Sequence, residues 1–236
     1  MLRYASWLSS SFRSCSSGHR LALVWTLACL AACGSGPSPQ EQALSAGNQA
    51  LSDLQFAQAE EHFTEAIKID SSLVSAYVGR AQVRYVQQQF DQAVEDLDRG
   101  IALDPELDTA YFLRGLSLFA TDTPERALPD LERAGFSDTI YLQDRVRSHR
   151  MRAVFYMSTL QYANAIDALT EAIALQPDNP ALYYERGILH NTVEQAESAI
   201  RDLERFLEVQ AETTAERSDS TMRAQARRTV DSLRAL

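Results

Sequence analysis

The stretches HFTEAIKIDSS (62–72), DLDRGIALDPE (96–106), ALTEAIALQPD (168–178) and DLERFLEVQAE (202–212) repeat one pattern, the end of an amphipathic helix running into a short turn. At matching places stand Ala66, Gly100, Ala172 and Phe206, whose numbers differ by 34, 72 and 34. The interval of 72 holds one more copy. DLERAGF (130–136) places Ala134 one such interval of 34 after Gly100 and 38 before Ala172, which marks an insertion of four. A fixed period of this length is the mark of one supersecondary unit stacked on itself.

Around these anchors the residues favour helix. Ala, Leu, Glu, Gln and Arg dominate, with nine glycines and seven prolines in 236 residues, and such side chains lose little rotamer freedom on a helix. The expected class is all-α. Arg3, Arg13 and Arg20 are the only formal charges of residues 1–32, so without that segment the formal charge moves from −10 to −13. A body that acidic is repelled by phosphate backbones, which argues against a nucleic-acid partner. Cys15, Cys29 and Cys33 are the only cysteines, leaving the body without a disulfide or a thiolate metal site.

A 34-residue unit with small residues on both of its helices resembles the tetratricopeptide repeat (TPR), a helix-turn-helix module. Five copies fit, at 40–73, 74–107, 108–141, 146–179 and 180–213, with 214–236 left as a polar linker and capping helix. The first copy has Gly47 on helix A and Ala59, Phe63 and Ala66 on helix B. The second has Tyr77, Ala81, Ala93, Leu97, Gly100 and the turn residue Pro105, and the third Tyr111, Gly115, Ala127, Leu131 and Ala134. The fourth offers His149, Ala153, Tyr156, Ala165, Leu169, Ala172 and Pro177, the fifth Tyr183, Gly187, Ala199, Leu203 and Phe206. The resemblance implies a right-handed superhelical solenoid of about five hairpins with a C-terminal capping helix. Small side chains let helix axes approach to about 8–10 Å, and Gly or Ala of helix A is expected to face Ala of helix B. Larger residues then fill the space between neighbours, so stability accumulates along the stack.

The third copy departs from the pattern. Thr123 is expected to cap a helix starting at Pro124, while Pro129 falls inside that helix and removes a backbone hydrogen bond. Helix B is therefore expected to be short, kinked and ended at Gly135, with a joint from Gly135 to Asp144 where the superhelix changes curvature. After the fifth copy, Met222, Ala226, Val230 and Leu233 are spaced by three and four, the signature of an amphipathic closing helix.

At the N-terminus a Ser-rich segment with three arginines precedes the apolar run LALVWTLACLAA (21–32). Twelve helical residues rise about 18 Å, short of the roughly 30 Å hydrocarbon layer, so the run reads as an export signal, residues 1–32. Leu30-Ala31-Ala32-Cys33, followed by a Gly, Ser and Pro tether through residue 39, resembles the lipobox of bacterial lipoproteins. The resemblance implies cleavage before Cys33 and acyl chains on Cys33, with the body anchored to an extracytoplasmic membrane face. Gly34 after that cysteine points to the outer membrane where a host has one. Several acyl chains hold firmly where one does not. A plain cleaved signal with an incidental cysteine is the other reading.

Catalytic patterns do not emerge. Lys68, the single lysine, follows no phosphate-loop pattern, and His62, His149 and His190 lie in different units without metal-ligand spacing. They are expected to be helix-surface or groove histidines, and carboxylates such as Glu60, Glu61, Asp96 and Asp98 to be solvated outer-face charges. No acid, base and nucleophile converge, so no enzyme and no cofactor is expected.

The resemblance implies that the inner face of the A helices binds peptides. Carried over, its positions include Asn48, Gln82, Tyr85, Phe112, Phe119, Arg147, Arg150, Met157, Tyr184 and Asn191. That strip suits a partner helix or extended peptide with an acidic group, and equally suits packing against neighbouring units or the terminal helix. The clamp that chaperone-binding relatives use for a terminal carboxylate is not matched, because Asn48 is accompanied by Leu44, Gly79, Thr109 and Leu113. The expected function is a lipid-anchored protein-interaction scaffold in assembly or regulation of an envelope complex. The alternative is a regulatory or substrate-presenting subunit of a partner enzyme.

Overall fold

The computed structural model describes residues 36–121, 123–212 and 220–235. Cys33 and the segment 1–32 expected to be an export signal lie outside them. Among the described residues there are eleven α-helices, one 3-10 helix and no strand. Five hairpins follow one another: α1 (Pro39–Ser52) with α2 (Phe56–Ile69), α3 (Val74–Val86) with α4 (Phe90–Leu103), and α5 (Asp108–Phe119) with a 3-10 helix (Pro124–Ala127) leading into α6 (Leu128–Phe136). Then come α7 (Leu142–Ser158) with α8 (Tyr162–Leu175), α9 (Pro180–Thr192) with α10 (Ala196–Glu212), and α11 (Ser220–Arg234) closes the array. Each helix packs on the next in sequence, which gives the expected all-α solenoid. The tether is one residue shorter than expected, because Pro39 already forms the first turn of α1, where a fixed φ suits a helix start.

The small residues act differently from expectation. A Cβ built on Gly47 or on Gly79 would come within 2.7 or 2.6 Å of the Phe63 ring, one on Gly115 within 3.0 Å of Leu131, and one on Gly187 within 2.9 Å of Leu203. The glycines of helix A therefore face the bulky residue of helix B, not its alanines. Phe63 is wholly buried between two glycines of successive A helices, which is how one side chain joins two units.

Each hairpin turn that is fully described has a left-handed residue where glycine would cost least: Leu54, Gln88, Leu160 and Glu194, at φ 58° to 62°. The residue after each is a glutamine, whose N–H reaches back five residues: Gln55 to Ala50 O, Gln89 to Arg84 O, Gln161 to Tyr156 O and Gln195 to His190 O, at 2.7–2.9 Å. Those bonds satisfy carbonyls that the end of helix A leaves unpaired.

A buried ionic fork recurs along the stack. Arg80 donates through Nε and Nη2 to Asp96 (2.9 and 2.6 Å) and through Nη1 to Thr64 (3.1 Å). Arg114 does the same with Asp130 (2.7 and 2.8 Å) and Asp98 (2.6 Å). Arg186 does so with Asp202 (2.7 and 2.7 Å) and Thr170 (2.9 Å). Each arginine thus grips helix B of its own unit and helix B of the unit before. Asp96, Asp130 and Asp202 are buried; Asp96, expected in solvent, is instead a structural anchor, also bound by Arg84 Nη1 at 2.8 Å. Hydrogen bonding to Asp130 and to Asp202 raises Arg114 and Arg186 above the usual guanidinium range.

The third unit follows its prolines. Pro129 is tolerated because the 3-10 helix ends at Ala127 and a new α-helix starts at Leu128, which puts the proline in a first turn. Thr123 holds the cap position, but its hydroxyl contacts Thr121 Oγ1 (3.2 Å) and bonds no helix N–H. The helix ends at Phe136, and the expected joint is narrower: residues 137–141 connect, and α7 begins four residues before the unit boundary drawn from the repeat, so the insertion becomes an added helical turn.

Across this joint His149 is buried, not a surface residue. Its Nε2 lies 3.1 Å from Gly135 O, and its Nδ1 lies 2.9 Å from Glu171 Oε2 and 3.1 Å from Arg152 Nη1. A Cβ on Gly135 would meet the imidazole at 2.8 Å. Burial lowers the His149 pKa, against the attraction of Glu171. His190 is buried too, its Nδ1 2.6 Å from Gln195 Oε1. At the C-terminal end Ala226 and Val230 of α11 pack with Leu203 and Phe206, while Met222 covers the margin.

Candidate functional site

The A helices α1, α3, α5, α7 and α9 carry the residues expected on the inner face. Between the first three units they form a groove of about 560 Å³. Asn48 and Gln82 stand on it at equivalent places of α1 and α3, one repeat apart, with Val78 and Leu107 as apolar wall and Ser75 and Thr109 as hydroxyls. Asp70 and Asp104 sit at its margin, and no Lys, Arg or His lines it. The side chain of Ser72 and its backbone N–H lower the Asp70 pKa, so that margin is anionic at neutral pH. Two side-chain amides one unit apart can donate to and accept from an extended peptide backbone.

Outside the lining of this groove, a bridge links the second and fourth units. Arg147 Nη2 on α7 donates to Tyr85 Oη on α3 at 3.1 Å, spanning two units. Phe112 lies in the third unit between them and is buried with Leu116, Leu131 and Ile140. Phe112 is therefore core, not contact surface, a correction that follows from how tightly α3, α5 and α7 stack. Tyr85 and Phe119 pack against the same core and are half-buried, Tyr85 also meeting Phe90 edge-on.

Beyond the bridge the expected residues fall into separate places. Arg150 is exposed but paired with Glu185, so it offers no unengaged charge to an acidic ligand. Met157 is exposed next to Val154 on the same face of α7. The Tyr184 ring lies 5.1 Å from that of Phe206 and belongs to the core that receives α11. Asn191 lines a smaller, polar groove of about 440 Å³ with Gln225, Arg228 and Thr229 of α11. The structure thus joins Asn48 and Gln82 in one groove and links Arg147 with Tyr85. It does not assemble the ten residues into one strip. The groove residues Ser75, Val78, Leu107 and Thr109 were identifiable by their register with Asn48 and Gln82.

No group of three His, Cys, Asp or Glu able to hold a metal occurs among the described residues, and no described helix is long and apolar enough to cross a membrane.

No curated protein matches the sequence. Among solved structures, YrrB, described as a TPR protein with an unusual peptide-binding site, aligns with a TM-score of 0.63 at 19% identity over 79% of this chain and 90% of that one. MamA from Desulfovibrio magneticus RS-1 aligns at 0.64 and 16% identity, covering 78% and 100%. Pseudomonas aeruginosa PilF aligns at 0.63 and 18%, covering 82% and 88%. At these identities the likeness is one of fold. Two tetratricopeptide-repeat family models match residues 78–137 and 152–235, more than half of the sequence between them, and with its five stacked hairpins the chain belongs to the tetratricopeptide repeat proteins.

Proposed function

We propose that this protein is a non-catalytic scaffold, exported and lipid-anchored through Cys33, that holds an extended segment of a partner protein in the groove of its first three hairpins. The observation that carries the reading is the pair Asn48 and Gln82, one repeat apart on the groove between α1, α3 and α5. YrrB, similar in fold, is described as having a peptide-binding site, which supports a peptide as the ligand class. The groove has two carboxylates at its margin and no cation, so it suits a neutral or basic segment and disfavours an acidic one. Assembly or regulation of an envelope complex is the setting that the export signal and lipobox suggest. The same groove would also serve a regulatory subunit that presents a substrate to a partner enzyme.

Two experiments test it. Fluorescence anisotropy against a peptide library should find basic or neutral binders, weakened roughly tenfold or more by combining Asn48→Ala with Gln82→Ala, the loss expected of about two hydrogen bonds. Selection of acidic peptides, or indifference to the double variant, would remove the groove from the proposal. Separately, metabolic labelling with a fatty-acid analogue should mark the wild type and not Cys33→Ser; label retained on the variant would remove the anchor.

A further inference from the structure

The fourth hairpin departs from its neighbours at two linked places. Tyr77, Tyr111 and Tyr183 stand three residues before Arg80, Arg114 and Arg186, and the aspartate of the fork follows each arginine by 16. In the fourth unit those two places hold His149 and Ala168, on either side of Arg152. Arg152 therefore has no fork aspartate to fix it, and the aromatic place holds a ring that titrates near neutral pH, where tyrosine does not. Both His149 and Arg152 are buried, where α6 meets α7. The charged groups around the imidazole are Arg145 and Arg152 of α7, Glu171 of α8 and, behind Arg152, Glu132 of α6. Asp138, in the connection between α6 and α7, is held by Arg145 at 3.2 Å.

We propose that this joint is a proton switch, in which protonated His149 exchanges Arg152 for Glu171, and Arg152 moves its ion pair from Glu171 of the fourth hairpin to Glu132 of the third. A carbonyl only accepts, so Nε2, which faces Gly135 O at 3.1 Å, carries the proton of the neutral ring and Nδ1 carries the lone pair. Nδ1 then accepts from Arg152 Nη1 at 3.1 Å, while Glu171 Oε2 presents a second lone pair to it at 2.9 Å. Protonation reverses both relations: the new Nδ1–H donates to the carboxylate and sets a like charge against the guanidinium. Glu171 Oε2 also accepts from Arg152 Nη1 at 3.1 Å, so ring and arginine compete for one oxygen. Arg152 has another carboxylate in reach, since its Nη2 already stands 3.9 Å from Glu132 Oε1. Burial favours the neutral ring, against the pull of Glu171, so the exchange belongs to acid. It carries an ion pair across the joint while the bond to Gly135 O is kept.

The test uses the full chain with isotope-labelled histidine, the ring nitrogens being read by NMR and His149→Gln identifying the signal. In mild alkali Nε2 should carry the proton and Nδ1 none. Glu171→Gln should move the titration of the ring down by about one pH unit, the shift expected on losing a carboxylate at hydrogen-bond distance. The move of the arginine is read separately. Glu132→Gln should match the wild-type urea midpoint at about pH 7.5 and fall below it by about 0.3 M at about pH 5.5, in line with one partly exposed ion pair. In the His149→Gln background the difference should be the same at both pH values. Glu132 and Glu171 are 63% and 38% exposed, so neither variant disturbs the buried core. A ring with Nδ1 protonated in mild alkali, a titration that Glu171→Gln leaves in place, or a Glu132→Gln effect equal at both pH values in the otherwise wild-type chain overturns the switch.

Discussion

In the second hairpin Arg80 faces Asp96 with two parallel hydrogen bonds and reaches Thr64 on the preceding hairpin. In the fourth, Arg152 stands at the same place of the repeat, but the position of the aspartate is Ala168. Its guanidinium turns instead to Glu171 (3.1 Å) and to the buried His149, with Glu132 at 3.9 Å. One plan has therefore been closed by two chemistries. The second unit uses a buried guanidinium–carboxylate fork, and the fourth a looser cluster built around an imidazole. A shared backbone pattern does not oblige neighbouring hairpins to be equally strong or to respond alike to solvent.

The comparison breaks most sharply at the fork. Asp96→Ala leaves Arg80 and Arg84 partly uncompensated in a buried setting and should cost about 3–5 kcal/mol in urea unfolding, whereas Glu171→Ala, whose carboxylate is 38% exposed, should cost about 1 kcal/mol or less. Equal losses would erase the distinction. Next in size, Ala93→Leu overfills a wholly buried site and should lower stability by about 1–3 kcal/mol; an unchanged thermal midpoint would contradict the register drawn for the second hairpin.

Acid separates the two units in another way. Burial lowers His149 below its ordinary value of 6.5, with Glu171 of α8 opposing and Arg145 and Arg152 of α7 reinforcing the shift. The unfolded chain then binds a proton at a pH where the folded one does not, so the contribution of neutral His149 is present above about 6.5 and is lost as pH falls below it. The urea midpoint should fall between pH 7.5 and pH 5.5, and His149→Gln, which retains a donor for Gly135 O, should flatten that fall. The smallest effect belongs to the hairpin turns. Gln88 sits at φ 62°, so Gln88→Gly should stabilise by about 0.5–1 kcal/mol, measurable as a raised thermal midpoint.

Much of this fold could be read in advance, because close-packed helices demand small residues at fixed intervals and a 34-residue period repeats them. What those residues face could not be read the same way. Gly47 is legible as the small residue of its helix, but only packing shows that it and Gly79, which stands outside the small positions of the repeat, both enclose Phe63. The fork was legible in principle, since Arg80, Arg114 and Arg186 precede Asp96, Asp130 and Asp202 at one constant separation. It was missed because charged residues at helical spacing normally read as a solvated face. The inner strip failed as a set because position in a repeat specifies a helix face, not its exposure. Phe112 occupies a groove position and is nonetheless buried.

By itself the sequence determined the helices, their pairing into hairpins and the order of the stack, since these follow from local propensity and from side-chain size at short separations. Tertiary structure decided which charges are anchors, that Asn48 and Gln82 share one groove, and that Arg147 reaches Tyr85 across the third unit. Those outcomes depend on distances between helices two units apart, and such distances are set by the summed packing of every layer between them.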